Sequence, residues 1–253
     1  MDVLVLRFDS PLMSFGAVLV DQFNRTDRYP YRAMLVGLFA NALGLRRTDV
    51  DEHQSLQRRC RYAARRDREG TELVDFQTVD LGTRGSMSSE LGWTAEGRLE
   101  QRKGGDAAEG THIRYRHYVA DAIVTVVCTL SEPGTNPSMD AVEQALRHPV
   151  RPLFVGRKCC VPSVPVLVER TQSASLRAAI EAVPRLDDAR TGRWGNERSL
   201  PAIWPAEATD GASHRWMRVE NRDWVNAIHV GRSRYVRGTV SPPEPATAQG
   251  REP

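Results

Sequence analysis

The sequence predicts an α+β fold, and three observations carry that expectation. Val3 to Phe8 reads VLVLRF, an almost wholly apolar run of the length of a buried strand. Met34, Leu35, Leu38, Phe39, Ala42 and Leu43 recur at i, i+3, i+4 and i+7, the stripe of a helix facing a core. Ile113 to Leu130 gives the strongest strand signal, alternating basic and aromatic residues first and turning almost continuously apolar afterwards.

The remaining elements follow in order. After the first strand, Pro11 and Gly16 mark a loop or irregular edge. The helix over 34–43 has Pro30 just before it and Gly44 just after, the expected start and stop. Arg25, Arg28 and Arg32 then stand beside the unpaired amides of a helix N-terminus, a combination that suits a phosphate. The competing reading is a solvated basic loop before a core helix. Residues 46 to 68 hold eight arginines against Asp49, Asp51, Glu52 and Asp67. A short helix over Asp51 to Arg59 is predicted to feed a hairpin, RYAARRD and TELVDFQTV joined by Arg68-Glu69-Gly70.

From 80 to 112 the chain is rich in Gly and Ser and carries Arg84, Trp93, Arg98, Arg102 and Lys103. It is too long for a simple connection, so a protruding hairpin is expected there. Asn136-Pro137-Ser138 should cap a helix running to Arg147, with Met139, Val142 and Leu146 inward. A Pro-punctuated, strand-like stretch follows from His148 to Glu169, with Gly156 at its sharpest turn. Ser173 is expected to open a helix, SLRAAIEAV, ending before Pro184, and 185–200 reads as an exposed loop around Arg193-Trp194-Gly195. AIWPAE, SHRWMRVEN and NAIHVGRSRYV read as short strands.

This order predicts a ferredoxin-like (RRM-like) βαββαβ domain over 1–168 with a hairpin inserted at 80–112. A small β-rich subdomain over 169–237 and a disordered tail over 238–253 complete the expectation.

Of 35 cations in 253 residues, all but Lys103 and Lys158 are arginine, although the net charge is only +3. Arginine has the planar fork that matches phosphates and stacks on bases, but genomic base composition also enriches it. No apolar run reaches membrane-spanning length and no secretory leader is visible, so no membrane association is expected. Cys60, Cys128, Cys159 and Cys160 form no metal-ligand spacing, which points to a reducing cytoplasm and away from structural zinc. No phosphate-binding loop, nucleophile elbow or zinc-peptidase motif is present, so no cofactor or metal is expected.

Two chemical readings stay open for the strand around His117. His117 sits among Tyr115, Arg116 and Tyr118, and a Tyr, His and Arg or Lys set of this kind could serve a metal-independent ribonuclease, which needs a base, an acid and a cation on the phosphate. Alternation divides that set, because Tyr115 and His117 face one way and Arg116 and Tyr118 the other. On the second reading, Arg114, Arg116 and Tyr118 form a platform for phosphates and one stacked base. Gly156, Arg157 and Lys158 add a small anion nest, and Arg215, Arg218, Arg222, Arg232, Arg234 and Arg237 a second basic patch against Glu220 and Asp223.

Four segments, VLVLRFDSPLMSFG, RTDRYPYRAMLVGLFANALGL, YRHYVADA and HPVRPLFVGRKCCVPSVP, occur in an order that resembles the Cas-five (CasD) family of type I-E CRISPR Cascade subunits. The resemblance covers roughly the first two thirds of the chain. It implies a non-catalytic subunit with a thumb hairpin that holds the 5′ handle of the CRISPR RNA and caps one end of the complex. It also implies contacts with the CasC backbone subunit and the CasA large subunit, and with target DNA only indirectly. By motif, it places Ser14, Phe15, Gly16, Arg25, Thr26, Tyr118, Asp121, Gly156, Arg157 and Lys158 among the family's functional positions. In another subtype the corresponding subunit is the processing nuclease, which keeps the ribonuclease reading as the alternative, with His117, Tyr115 and Lys158 as its candidates.

Overall fold

The structure, a computed structural model, describes residues 1–17, 22–80, 91–93, 99–101, 111–132, 135–185, 199–207 and 215–243. Its elements in chain order begin with β1 (Asp2–Asp9), β2 (Leu12–Met13), β3 (Phe23–Asn24), α1 (Arg32–Leu43) and α2 (Val50–Arg59). Next come β4 (Cys60–Arg68), β5 (Thr71–Asp80), β6 (Leu91–Trp93), β7 (Leu99–Gln101), β8 (Thr111–Ala120) and β9 (Ile123–Leu130). The remainder is α3 (Met139–Arg147), β10 (Leu167–Gln172), α4 (Leu176–Ala182), β11 (Leu200–Pro205), β12 (Arg215–Arg218), β13 (Asn221–Asp223), β14 (Ile228–Val230) and β15 (Ser233–Val240).

A seven-stranded sheet in the order β10-β1-β9-β4-β11-β15-β12 forms the body, and all its pairings are antiparallel. β1 is apolar on both sides because both sides are covered. Leu4, Leu6 and Phe8 pack with residues of α1, while Val3 and Val5 pack with residues of α4. All five are fully buried, each contributing about 1.5–3 kcal/mol. α1 is more enclosed than its stripe predicts: Ala33, Val36 and Ala40 are buried too, because α2 and α3 flank it beside the sheet. Gly44 ends it in the left-handed conformation at φ 78°. Ser138 and Ser175 cap α3 and α4 by accepting from the amides of Ala141 and Ala178, each at 3.1 Å.

Several expectations are corrected. RYAARRD and TELVDFQTV do not pair with each other. β4 pairs with β9 and β11, whereas β5 leaves for a second sheet and pairs along its whole length with β8. The single strand expected over 113–130 is likewise two, β8 and β9, with Asp121 at φ 55° where the chain changes sheet. The two crossings touch. Arg68 donates to the Asp121 carbonyl at 2.6 Å, and a Cβ on Gly70 would lie 2.5 Å from the Ala120 oxygen. Local pattern cannot distinguish a hairpin from two strands that part into different sheets.

The stretch 148–166 is not a strand but a succession of turns, and β10 begins only at Leu167. β11, β12 and β15, in the region read as a small subdomain, extend the main sheet through β4. Gly238, Thr239 and Val240, read as the start of the tail, are the end of β15. The loop around Trp194 and the tail beyond 243 lie outside the described residues. So does most of the 80–112 insertion, although β6 pairs with β7 and the insertion springs from the far end of the β5–β8 hairpin.

Arg170 ties β10 to β1 and α3, bridging Asp2 at 2.7 Å and Glu143 at 3.2 Å and also bonding Asp140. It holds Asp2 below the usual carboxylate range, and Arg147 together with Arg170 does the same to Glu143. Carboxylates depressed in the folded state stabilise it above their unfolded pKa, near 4, and lose that contribution as pH falls through the lower folded values. Denaturant titrations should therefore show stability falling below about pH 4, and Arg170→Met should flatten that limb. An unchanged acid limb in this variant would refute the assignment.

Candidate nucleic-acid interface

The segments holding most of the predicted site residues converge on one cleft of about 460 Å³. It is walled by Ser14, Phe15 and Gly16 after β1, by Asn24 and Arg25, by the outer side of α1, and by Phe154, Gly156 and Arg157. The construction depends on close backbone approach. Gly156 has φ 98°, and a Cβ there would stand 1.7 Å from the Ser14 carbonyl oxygen. Only glycine allows the 155–160 turn to lie against the 14–16 segment, where the Ser14 amide donates to Val155 O at 3.1 Å. Thr26 braces the same segment from the other side, its hydroxyl accepting from the Phe15 amide at 2.9 Å.

Several residues singled out in the sequence prove to build the cleft and have little surface to offer a ligand. Phe15 is fully buried against Phe8, and Ser14 is buried as well. Arg157 donates to His117 O and Asn24 O, both at 2.9 Å, and its guanidinium lies 4.6 Å from the centre of the Tyr118 ring. Tyr118 is therefore not the stacking platform the alternation predicted: it is 3% exposed and its face is taken by Arg157. Lys158 is exposed on the turn, and Arg114 and Arg116 are half-buried on β8. Arg84 lies outside the described residues.

The basic corner also differs from expectation. The amides at the start of α1 are not left for a phosphate. Arg32 N donates to the Glu220 carboxylate at 3.3 Å, and Ala33 N to the Glu220 carbonyl at 3.2 Å. Glu220, fully buried, is thus the anion at this helix N-terminus. It also pairs with the Arg32 guanidinium at 3.2 Å and accepts from Tyr62 at 2.8 Å and Tyr235 at 2.7 Å. Burial pushes both phenols up, so they stay protonated as donors. Beside them Arg218, taken for surface in the sequence, is buried. It donates to Pro30 O and Tyr29 O and lies 4.2 Å from the Tyr31 ring centre. Arg28 pairs at the surface with Glu69 at 3.0 Å. Of the three corner arginines, Arg25 alone lines the cleft, exposed and with no ion-pair partner among the described residues.

The wall that sequence reasoning missed comes from the C-terminal hairpin. Arg222, Trp224 and His229 complete the cleft. His229 meets the Tyr31 ring edge-on at 6.1 Å, and burial together with the Arg222 charge holds its pKa below the ordinary value. Its ring is therefore neutral near pH 7 and able to stack. Arg222 lay within a recognised basic patch, but nothing local to Trp224 or His229 indicates which surface they join. Three guanidinium groups and several rings surround the cleft, and no carboxylate does so among the described residues.

Of the ribonuclease candidates, His117 and Tyr115 are engaged by neighbours, and Lys158 lies exposed on the 155–160 turn. His117 Nδ1 is 2.6 Å from the Glu72 carboxylate. Tyr115 is stacked on Phe23 at 5.0 Å and tilted against Phe76 at 5.4 Å. Among the described residues no group of three or more His, Cys, Asp or Glu side chains is placed to hold a metal. The four cysteines are free, and burial pushes the Cys60 thiol up to about 12. No helix among the described residues is long and apolar enough to cross a membrane.

Comparison with known proteins agrees with this picture. The Cascade subunit CasD of Escherichia coli (strain K12) is 27% identical over 178 residues, covering 70% of this chain and 75% of that protein. A solved chain described as a CRISPR RNA-guided surveillance complex superposes with a TM-score of 0.68 at 26% identity, over 95% of this chain and 91% of that one. A second, described as a Cas protein, shares the fold with a TM-score of 0.62 at 22% identity, over 96% and 98%. The family described as CRISPR-associated protein (Cas_Cas5) matches residues 3–236, essentially the whole described body, and the chain belongs to that family.

Proposed function

We propose that the cleft holds a single-stranded segment of CRISPR RNA, its 5′ handle, and that the protein caps one end of a Cascade surveillance complex as a non-catalytic subunit. The observation that carries this reading is the cleft's composition: Arg25 and Arg222 with the rings of Phe154, Trp224 and His229, on walls braced by Arg157 and Tyr31, and no acid among its described walls. Cations track a phosphate backbone and rings stack on splayed bases, which is how single strands are gripped. The relatives' descriptions supply the context, a complex guided by CRISPR RNA. The strand order β10-β1-β9-β4, with α1 between β1 and β4 and α3 between β9 and β10, supports a ferredoxin-like reading of the core.

The β5–β8 hairpin occupies the thumb position in this reading. Val74, Phe76 and Ile113 are exposed on the face that carries Phe23 and Tyr115, an apolar strip suited to a neighbouring CasC subunit. CasA would meet the other side of the protein, and target DNA would be reached through the RNA. The free cysteines fit the cytoplasm as the place of action.

Binding of a labelled repeat RNA to the full chain, followed across salt concentrations, tests the reading. Log affinity should fall with log salt by about 0.7 for each phosphate neutralised on a single strand. Arg25→Ala should make that slope shallower by about 0.7, without discrete cleavage products from the wild type. A salt-independent affinity, or metal-free cleavage abolished by His117→Ala, would overturn it.

A further inference from the structure

Adjoining the cleft along α1 lies a second cavity of about 340 Å³, walled by Arg47, Arg151, Arg222 and His53. It shares Gly37, Asn41, Arg222 and Trp224 with the cleft, so the two are separated only by these residues. No carboxylate lines it among the described residues.

Arg151 and Arg222 are held in place by contacts within the protein. Arg151 donates to the Leu45 and Gly44 carbonyls, both at 2.8 Å, where α1 ends. The Gln57 amide grips the Arg222 backbone on both sides, accepting from its N–H at 2.8 Å and donating to its carbonyl at 2.9 Å. The Arg222 guanidinium then lies 5.3 Å from the Trp224 ring centre, and that ring leans on His53 at 4.5 Å. Burial and the neighbouring charge of Arg47 both hold Arg222 below its ordinary pKa. Like charges are gathered here at a cost that an anion would relieve. Arg222 Nε and Trp224 Nε1, both buried, have no acceptor among the described residues.

We propose that this groove is a second phosphate site, taking the backbone phosphate of a nucleotide adjoining the one in the cleft, so that the RNA strand crosses Arg222 and runs along the C-terminal half of α1. The inference rests on the cleft holding RNA. An acidic polypeptide has matching charge, but RNA is favoured because a strand leaving the cleft meets the groove directly over shared walls.

Arg47 and Arg151 line the groove and not the cleft, which makes them the informative positions. The full chain, as wild type, Arg47→Gln and Arg47→Gln/Arg151→Gln, would be titrated with single-stranded RNAs of about 4 and about 12 nucleotides, lengths that bracket common single-strand site sizes. The longer RNA should show a salt slope shallower by about 0.7 in both variants, and the shorter RNA no change. Because Arg151 also closes the end of α1, the Arg47→Gln result stands by itself if the double variant unfolds. An unchanged slope for the longer RNA overturns the groove while leaving the cleft intact. Poly-glutamate binding lost in the variants while RNA binding persists also overturns it, assigning the groove to an acidic protein segment. Failure of the wild type to bind either RNA refutes the cleft reading and removes the groove proposal with it.

Discussion

Replacing Glu220 by alanine is expected to remove about 3–5 kcal/mol of folding stability, the usual loss when one partner of a buried charge network is deleted. Its carboxylate meets Arg32, the Tyr62 and Tyr235 hydroxyls and an amide at the start of α1, and it is fully buried. Deletion leaves Arg218, with 1% of its side chain exposed, facing one fewer anion, since Asp27 at 3.4 Å is its remaining carboxylate contact. Against a typical total of about 5–15 kcal/mol, such a variant is marginally folded. Denaturant unfolding measures the loss. Arg218→Met should cost a comparable amount, and the Arg218→Met/Glu220→Gln pair less than the sum of the single changes, because the two charges compensate each other. Additive single losses would show that the network is not one unit.

Gly156→Ala is the second large effect. The substituted residue must hold φ near 98°, a region L-residues avoid, and its Cβ would penetrate the Ser14 carbonyl. Backbone has no rotamer to yield, so the turn itself must move away from the 14–16 segment. Strain and displacement together should cost about 3 kcal/mol. The more telling readout is RNA affinity, expected to fall by at least about tenfold, because Arg157 and Phe154 move with the turn. Gly37→Ala is the control for stability: nothing lies within 4 Å of an added Cβ, and inside α1 alanine should raise stability by about 0.5–1 kcal/mol where Gly156→Ala lowers it. Wild-type affinity in Gly156→Ala would disprove the role given to the close approach.

What the sequence revealed and what it concealed divide along a physical line. α1 is legible because its apolar period, Gly44 and the adjacent Pro30 are local signals, and the Ser138 cap of α3 is equally local, whereas α4 is capped by Ser175 and not opened by Ser173. Gly156 stood out as a turn, although its partner at Ser14 did not. Arg68-Glu69-Gly70 looks like a hairpin turn because the residues that favour a tight reversal also serve a strand changing sheets. The arginines were the hardest to read. Arg25, Arg28 and Arg32 are indistinguishable by type, yet one lines the cleft, one meets a surface carboxylate and one serves a buried network. Arg218 stood in a basic patch and lies in the core, because Glu220 and three aromatic rings receive it. Sorting cations by fate requires long-range neighbours, and those are set by topology, not by spacing.

The cleft draws its walls from residues 14–17, 24–41, 154–157 and 222–229. This spread governs when during its synthesis the protein becomes competent. On the ribosome the early strands and α1 emerge first, but the ring-bearing wall and the carboxylate that occupies the start of α1 arrive more than 170 residues after α1. No nascent chain stopped short of Arg222 presents the finished surface. Late closure of such distant contacts is slow relative to helix formation. On the proposed function, a guide strand would find the complete cleft only after the chain through His229 has been made, with shorter nascent chains excluded by their geometry.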